Sequence, residues 1–167
     1  DLVMKITVKH VEEGKMTDFI FKELREKDDI TLKGPFGKAG LKEGNMPKEM
    51  FMIAAGSGVT PARSILRYIV DKKIHSYITL LYSEKNKEGI IFKKELEELD
   101  KKENISIRIT LTRDDEWEGL KGRPSIEMIK SLGFSEKTSF FIWGPSEMIK
   151  NMKKGLEEIG IKKENIN

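Results

Sequence analysis

No cysteine occurs in this 167-residue sequence. That excludes a disulfide, a Cys-held iron–sulfur cluster within the chain and a thiol nucleophile. Histidine is almost as scarce, with His10 and His75 alone, too few for a histidine-rich metal centre, so no metal site is expected. Long apolar runs are also missing. A stretch such as Phe51-Met52-Ile53-Ala54-Ala55 falls far short of the ~20 residues a membrane span needs. The opening Asp1-Leu2-Val3 does not read as a charged-then-apolar leader. Charge of one sign is lacking too: 31 basic residues face 28 acidic ones, for a net +3, mixed along the chain. A nucleic-acid surface needs a basic face with aromatics between the charges, and none is visible. The expectation is a cytoplasmic globular protein with neither a nucleic-acid nor a membrane partner.

What is there divides into two halves. In the first, Leu2, Met4, Ile6 and Val8 alternate with polar residues up to Lys9, the period of a half-buried strand. After Gly14, Thr17 is placed to cap a short helix carrying Phe19, Ile20, Phe21 and Leu24. Ile30-Thr31-Leu32-Lys33 is strand-like and ends at Gly34-Pro35-Phe36-Gly37. Two glycines and a proline without periodicity lie between Lys38 and Lys48, and a domain junction is expected there, with residues 1–44 on one side and 45–167 on the other.

From Met50 onward strands and helices alternate. Phe51–Ala55, Tyr77–Tyr82, Ile105–Leu111 and Ser139–Trp143 read as strands; Pro61 to about Lys72, Ile91–Leu99, Ser125–Leu132 and Pro145–Ile159 read as helices. This order predicts an α/β fold, a parallel sheet with right-handed crossovers and helices on both faces. Ligands of such sheets bind at the carboxyl ends of the strands.

The first of those ends carries Gly56-Ser57-Gly58-Val59-Thr60-Pro61. Gly56 and Gly58 allow a sharp turn and a close approach to a ligand, and Pro61 suits the first helical position. The N–H groups of Ser57, Gly58, Val59 and Thr60 at a positive helix end suit a pyrophosphate, and the Thr60 hydroxyl is placed to cap the helix or meet a phosphate oxygen. A tight connection with no ligand is the competing reading.

With Ile142-Trp143-Gly144-Pro145-Ser146-Glu147-Met148 at the last strand, the sequence resembles the ferredoxin–NADP reductase superfamily. Gly56–Pro61 resembles its Gly-x-Gly-x-x-Pro nucleotide loop, and the Trp143–Met148 stretch its Cys-Gly-Pro-x-x-Met signature. Gly34–Gly37 resembles the end of its flavin barrel, and Gly14-Lys15-Met16-Thr17 the element that touches the FAD pyrophosphate. The resemblance implies a C-terminal remnant of an antiparallel FAD-binding β-barrel ahead of an NAD(P)-binding domain, with hydride passing from nicotinamide to flavin and electrons onward to an acceptor protein or small molecule. No side chain need act as a catalytic acid or base. Thr60, Gly144, Pro145 and Met148 would line the nicotinamide pocket, although Met148 also fits a core position.

Two departures matter. The superfamily's Arg-x-Tyr-Ser element and most of its barrel would lie before Asp1, so the FAD site is expected to be incomplete and a flavin-domain segment to be a missing partner; the chain reads as trimmed at both ends. Trp143 stands where the superfamily has cysteine, either stacking on an aromatic ring or packing on the sheet. For the choice of nucleotide, Lys85, Thr112-Arg113 and Arg123 fall after the second and third strands, where arginine recognises a 2′-phosphate by paired hydrogen bonds. Glu84, Asp114, Asp115, Glu116 and Glu118 oppose this, and Trp117-Glu118-Gly119 with Gly122 resembles NADH-using oxygenase reductases. The balance leans slightly to NADPH. Two rival readings stay open: a nucleotide-binding module without activity, and a docking subunit for an acidic electron carrier.

Overall fold

A computed structural model describes residues 4–34, 41 and 46–167. Pro35, Phe36 and Gly37 of the expected barrel end, and most of the expected junction, lie outside the described residues. The chain divides into two units, Asp1–Gly40 and Leu41–Asn167.

In the first unit, α1 (Lys15–Asp18) runs straight into a π-helical turn, Phe19–Glu23. Gly14, not Thr17, occupies the N-cap position. The Thr17 hydroxyl instead turns back, lying 3.0 Å from the Val11 carbonyl and 3.1 Å from that of Gly14. The expected strands over 2–9 and 30–33 are not found in their described parts, residues 4–9 and 30–33. Met4, Ile6, Ile30 and Leu32 are exposed. Alternation signals a face that wants covering; a strand exists only where a neighbour receives its N–H groups, and no described segment of this unit does so.

The second unit alternates β1 (Glu49–Ala55), α2 (Val59–Asp71), β2 (Tyr77–Glu84), α3 (Lys93–Asp100), β3 (Ile105–Leu111), β4 (Leu120–Lys121), α4 (Ile126–Leu132), β5 (Ser139–Trp143) and α5 (Ser146–Glu158). The strands form a five-stranded sheet in the order β4-β3-β2-β1-β5, with every pairing parallel. The α/β expectation is borne out. β4 was not foreseen, because two residues show no period.

The two-fold repeat of β1 sorts its side chains between two cores. Met50, Met52 and Ala54 join Ala62, Leu66 and Ile69 of α2 and Leu96 and Leu99 of α3. Phe51 and Ile53 face the other way, toward Ile129 of α4 and Met152 and Leu156 of α5. With apolar residues on both faces, β1 reads as a continuous hydrophobic run, as a central parallel strand must. Each helix turns its apolar stripe inward at helical spacing, Val59, Ala62, Leu66 and Ile69 in α2. Among the described residues no helix is long and apolar enough to cross a membrane.

The strand order places the site. From β1 the chain moves outward through β2 and β3 to β4, then returns to lay β5 on the opposite side of β1. The crossovers therefore diverge at the carboxyl ends of β1 and β5, which makes a crevice there.

Candidate nucleotide site at the carboxyl end of the sheet

Two expected motifs meet at that crevice. Gly56–Gly58 form a 3-10 turn that leads directly into α2. Gly56 has φ +57°, a conformation that costs most side chains energy. At Gly58 the demand is steric. A Cβ there would lie 2.5 Å from the Trp143 carbonyl oxygen and 3.0 Å from the Gly144 nitrogen. The close approach expected between Gly58 and a ligand is thus made first to the protein's own β5 end. Since α2 begins at Val59, Pro61 is the third helical residue and not the first. It still lies in the first turn, whose N–H groups have no partner inside the helix. Backbone N–H groups at the end of the 3-10 turn donate to the Gly56 and Ser57 carbonyls, so not all four of the expected phosphate donors are free. The Thr60 hydroxyl donates to the Ser57 carbonyl at 2.8 Å, which pins the loop and leaves the oxygen's lone pairs outward.

On the facing side, Trp143 stacks on Phe141 with ring centroids 5.8 Å apart and planes 18° from parallel. It packs half-buried against the α2–α3 core. Pro145 caps α5 and is exposed. Met148 packs against the α4–α5 core, and its methyl group lies 2.7 Å from where a Gly144 Cβ would be. It is a core residue at the edge of the crevice.

The expected 2′-phosphate residues are gathered by sheet register. β2 pairs Glu84 with Leu111 of β3, and Leu111 pairs with Lys121 of β4. Past the strand ends the ladder continues: Thr112 N–H donates to the Glu84 carbonyl at 3.0 Å, Arg113 N–H to the Lys85 carbonyl at 2.8 Å, and Gly122 N–H to the Leu111 carbonyl at 2.8 Å. Lys85, Arg113 and Arg123 therefore leave three neighbouring strands at one end of the sheet, all exposed. Among the described residues their side chains make no ion pair and no hydrogen bond. The nearby acids are mostly engaged. Asp114 accepts from the Lys87 N–H at 3.4 Å, Glu116 lies 3.8 Å from the Lys87 ammonium, and Glu84 is held by two donors. Trp117 fixes the intervening loop, its indole N–H donating to the Ile109 carbonyl at 3.3 Å while the ring lies against Gly119.

One groove among the described residues, about 420 Å³, is lined by Ile69, Lys73, His75, Tyr77, Lys102 and Asn104 among others. It opens at the amino ends of β2 and β3, the wrong end of a parallel sheet for a nucleotide.

A family model described as oxidoreductase NAD-binding domain matches residues 52–154, a span that includes both crevice motifs and all three cations. The chain belongs to this family of NAD-binding oxidoreductase domains. It is similar, at 31% identity over 157 residues, to the gamma subunit of sulfhydrogenase 1 from Pyrococcus furiosus, covering 92% of this chain and 53% of that protein. To NADH-cytochrome b5 reductase 2 of Candida glabrata it is 33% identical over 149 residues, 85% of this chain and 49% of that one. The chain thus spans about half the length of the curated relatives it matches. The cytochrome b5 reductase domain of Ulva prolifera nitrate reductase superposes with a TM-score of 0.80 at 26% identity, over 90% of this chain and 63% of that one. The resemblance to the ferredoxin–NADP reductase superfamily is borne out.

In the first unit, Gly14, Lys15, Met16 and Thr17 stay together around α1. The Thr17 oxygen also accepts from the Val11 N–H at 3.2 Å, so its hydroxyl closes the turn on itself. Of the four, exposed Lys15 alone carries a charge. The residue that sequence reasoning missed is Tyr82, whose phenol donates to Glu84 at 3.2 Å. A tyrosine inside an apolar strand reads as core, and nothing local marks its hydroxyl.

Proposed function

We propose that this chain is the nucleotide-binding part of an NAD(P)H-dependent flavin oxidoreductase that passes electrons to an acceptor protein or small molecule. The observation that carries the reading is the meeting of Gly56–Pro61 with Trp143–Met148 where the crossovers diverge. The residues present fit a pyridine nucleotide. A tight glycine turn at the start of α2 suits the pyrophosphate, and uncommitted Lys85, Arg113 and Arg123 suit a further anion.

When bound, the nicotinamide supplies a hydride and the flavin accepts it. The chain's own part is to bind, orient and exclude water. The turn through Ser57, Gly58, Val59, Thr60 and Pro61 would face the phosphates from the α2 end, with those N–H groups not already given to the Gly56 and Ser57 carbonyls as donors. Gly144, Pro145 and Met148 border the nicotinamide on the β5 side, with Trp143 as the packed floor beneath them. Residues 1–44 are proposed as flavin-domain sequence, with Lys15 and the turn through Gly14, Met16 and Thr17 near the flavin phosphates. The Thr17 hydroxyl is excluded as the donor because it is spent on Val11 and Gly14. The remaining flavin contacts are assigned to a separate flavin-domain segment.

We assign NADPH as the preferred nucleotide, with Thr112 beside Arg113 at the 2′-phosphate. The three free cations favour it, and Glu84, Asp114 and Glu116 among the neighbouring acids are engaged. The names of the relatives, NADH-cytochrome b5 reductases among them, support NADH as the second reading. Calorimetric titration of the 1–167 chain with NADPH and NADH tests both. Tighter NADPH binding supports the assignment, tighter NADH binding reverses it, and binding of neither overturns the nucleotide site.

A further inference from the structure

Tyr82 is wholly buried in β2, yet its hydroxyl is aimed at the one acidic side chain that ends that strand. The phenol donates to Glu84 Oε1 at 3.2 Å. The other carboxylate oxygen accepts from the Lys85 N–H at 3.1 Å. The β2–α3 turn leaves room for this pose: a Cβ at Gly89 would lie 3.0 Å from Glu84 Oε2. Asn86 fixes the turn by accepting from the Gly89 N–H at 3.0 Å, and the phenol oxygen also faces the backbone of Ile91. Burial, with Glu84 adding to it, pushes the phenol above its ordinary value, so Tyr82 stays a donor throughout the physiological range.

A buried hydroxyl is costly unless it finds a partner, and phenylalanine would fill the same space without one. The phenol is thus best accounted for by what it holds. Glu84 precedes Lys85 and pairs in register with Leu111, two residues before Arg113. A mobile carboxylate at this place would either pair with those cations or repel an incoming phosphate, since like charges a few ångströms apart interact by several kT outside bulk water.

We propose that Tyr82 is a positioning residue for nucleotide choice: its hydroxyl draws the Glu84 carboxylate back onto the β2–α3 turn, leaving Lys85, Arg113 and Arg123 to a 2′-phosphate. The inference rests on the NADPH assignment above.

The test uses the 1–167 chain and two probes that differ only by the group in question, adenosine 2′,5′-bisphosphate and 5′-AMP. The measured quantity is the ratio of their dissociation constants, which a merely structural role would leave unchanged. Tyr82→Phe is expected to lower the wild-type preference for the bisphosphate by about tenfold, the scale of one charged contact. Glu84→Gln alone should change it by less than about threefold. Combined with Tyr82→Phe it should restore the preference, and that rescue also shows the double variant folded. A Tyr82→Phe chain with the wild-type ratio, or a double variant without rescue, overturns the positioning role while leaving the NADPH assignment standing. A wild type that does not distinguish the probes overturns both.

Discussion

The Trp143 carbonyl oxygen stands 2.5 Å from the place a Gly58 Cβ would take, so the turn after β1 is seated directly on the end of β5. The two motifs are therefore one piece of structure, and a change in either is transmitted to the other through backbone contact. Backbone cannot swing aside as a long side chain can. The glycine is needed to build the crevice before any ligand arrives.

Gly58→Ala is accordingly expected to destabilise the fold as well as weaken nucleotide binding. Forcing a methyl group into a packed site costs typically ~1–3 kcal/mol. Urea unfolding of the wild type and variant measures the first effect, and titration with NADPH the second. An alanine variant with unchanged midpoint and unchanged affinity would show that the 2.5 Å approach is not a feature of the native chain.

Arg113→Ala and Arg123→Ala should each weaken NADPH and leave NADH nearly alone. A hydrogen bond to a charged group contributes roughly 1.5–3 kcal/mol, or about one to two orders of magnitude in affinity. The effect should shrink with added salt, because exposed charges are screened. Parallel titrations at two ionic strengths read this out, and equal losses for both nucleotides would place the arginines on a group the two share.

The two tryptophans provide an internal probe of which part of the sheet edge meets the ligand. Trp143 ends β5 beside the glycine turn, whereas Trp117 is tied to β3 through the Ile109 carbonyl. Binding of oxidised nucleotide should quench emission in the wild type and in Trp117→Phe, and do so much less in Trp143→Phe. Quenching that follows Trp117 instead would move the nicotinamide end away from β5.

Glu127, in the first turn of α4, should titrate below its ordinary 4.5; the causes are first its own backbone N–H and then Ser125. The Ser125 side chain caps the same helix by accepting from the Met128 N–H at 3.2 Å. A carboxylate with a depressed native value stabilises above its unfolded value, and the contribution is lost as pH falls through the native one. The carboxyl carbon shift of Glu127, followed by NMR between neutral and strongly acidic pH, gives the midpoint. A midpoint at or above the ordinary value would contradict the capped geometry.

What could be read from the sequence followed from period and length. β1, β2 and β5 carry short apolar runs, β3 alternates apolar with polar residues, and α2 and α5 repeat their apolar residues over three turns, so element types and the parallel sheet were legible. Gly56, Gly58, Gly144 and Pro145 were legible as special backbone because glycine and proline mark unusual conformations. The reason for Gly58 was not: sequence spacing cannot show that Trp143, 85 positions away by number, will arrive with its carbonyl against it. Likewise Leu2–Lys9 and Ile30–Lys33 show the alternation of strands, but pairing depends on a neighbour that no local pattern specifies. Thr17 was mistaken for a cap because Gly14 has no side chain to advertise the role. The hold of Tyr82 on Glu84 depends on rotamers two residues apart on a strand whose pattern reports only burial.

The final residues of the chain run alongside β5. Ile166 forms a parallel bridge with Phe140, the Asn167 N–H donates to the Phe140 carbonyl at 2.9 Å, and the Ile142 N–H donates to the Asn167 carbonyl at 3.3 Å. At the opposite margin β4 is two residues long. A parallel sheet with bare margins would template the addition of strands from other molecules. Here residues 166 and 167 cover part of the β5 margin, and β4 offers two residues at the other. Removing Ile166 and Asn167 would bare the backbone groups of β5 to strand addition while leaving the crevice residues in place.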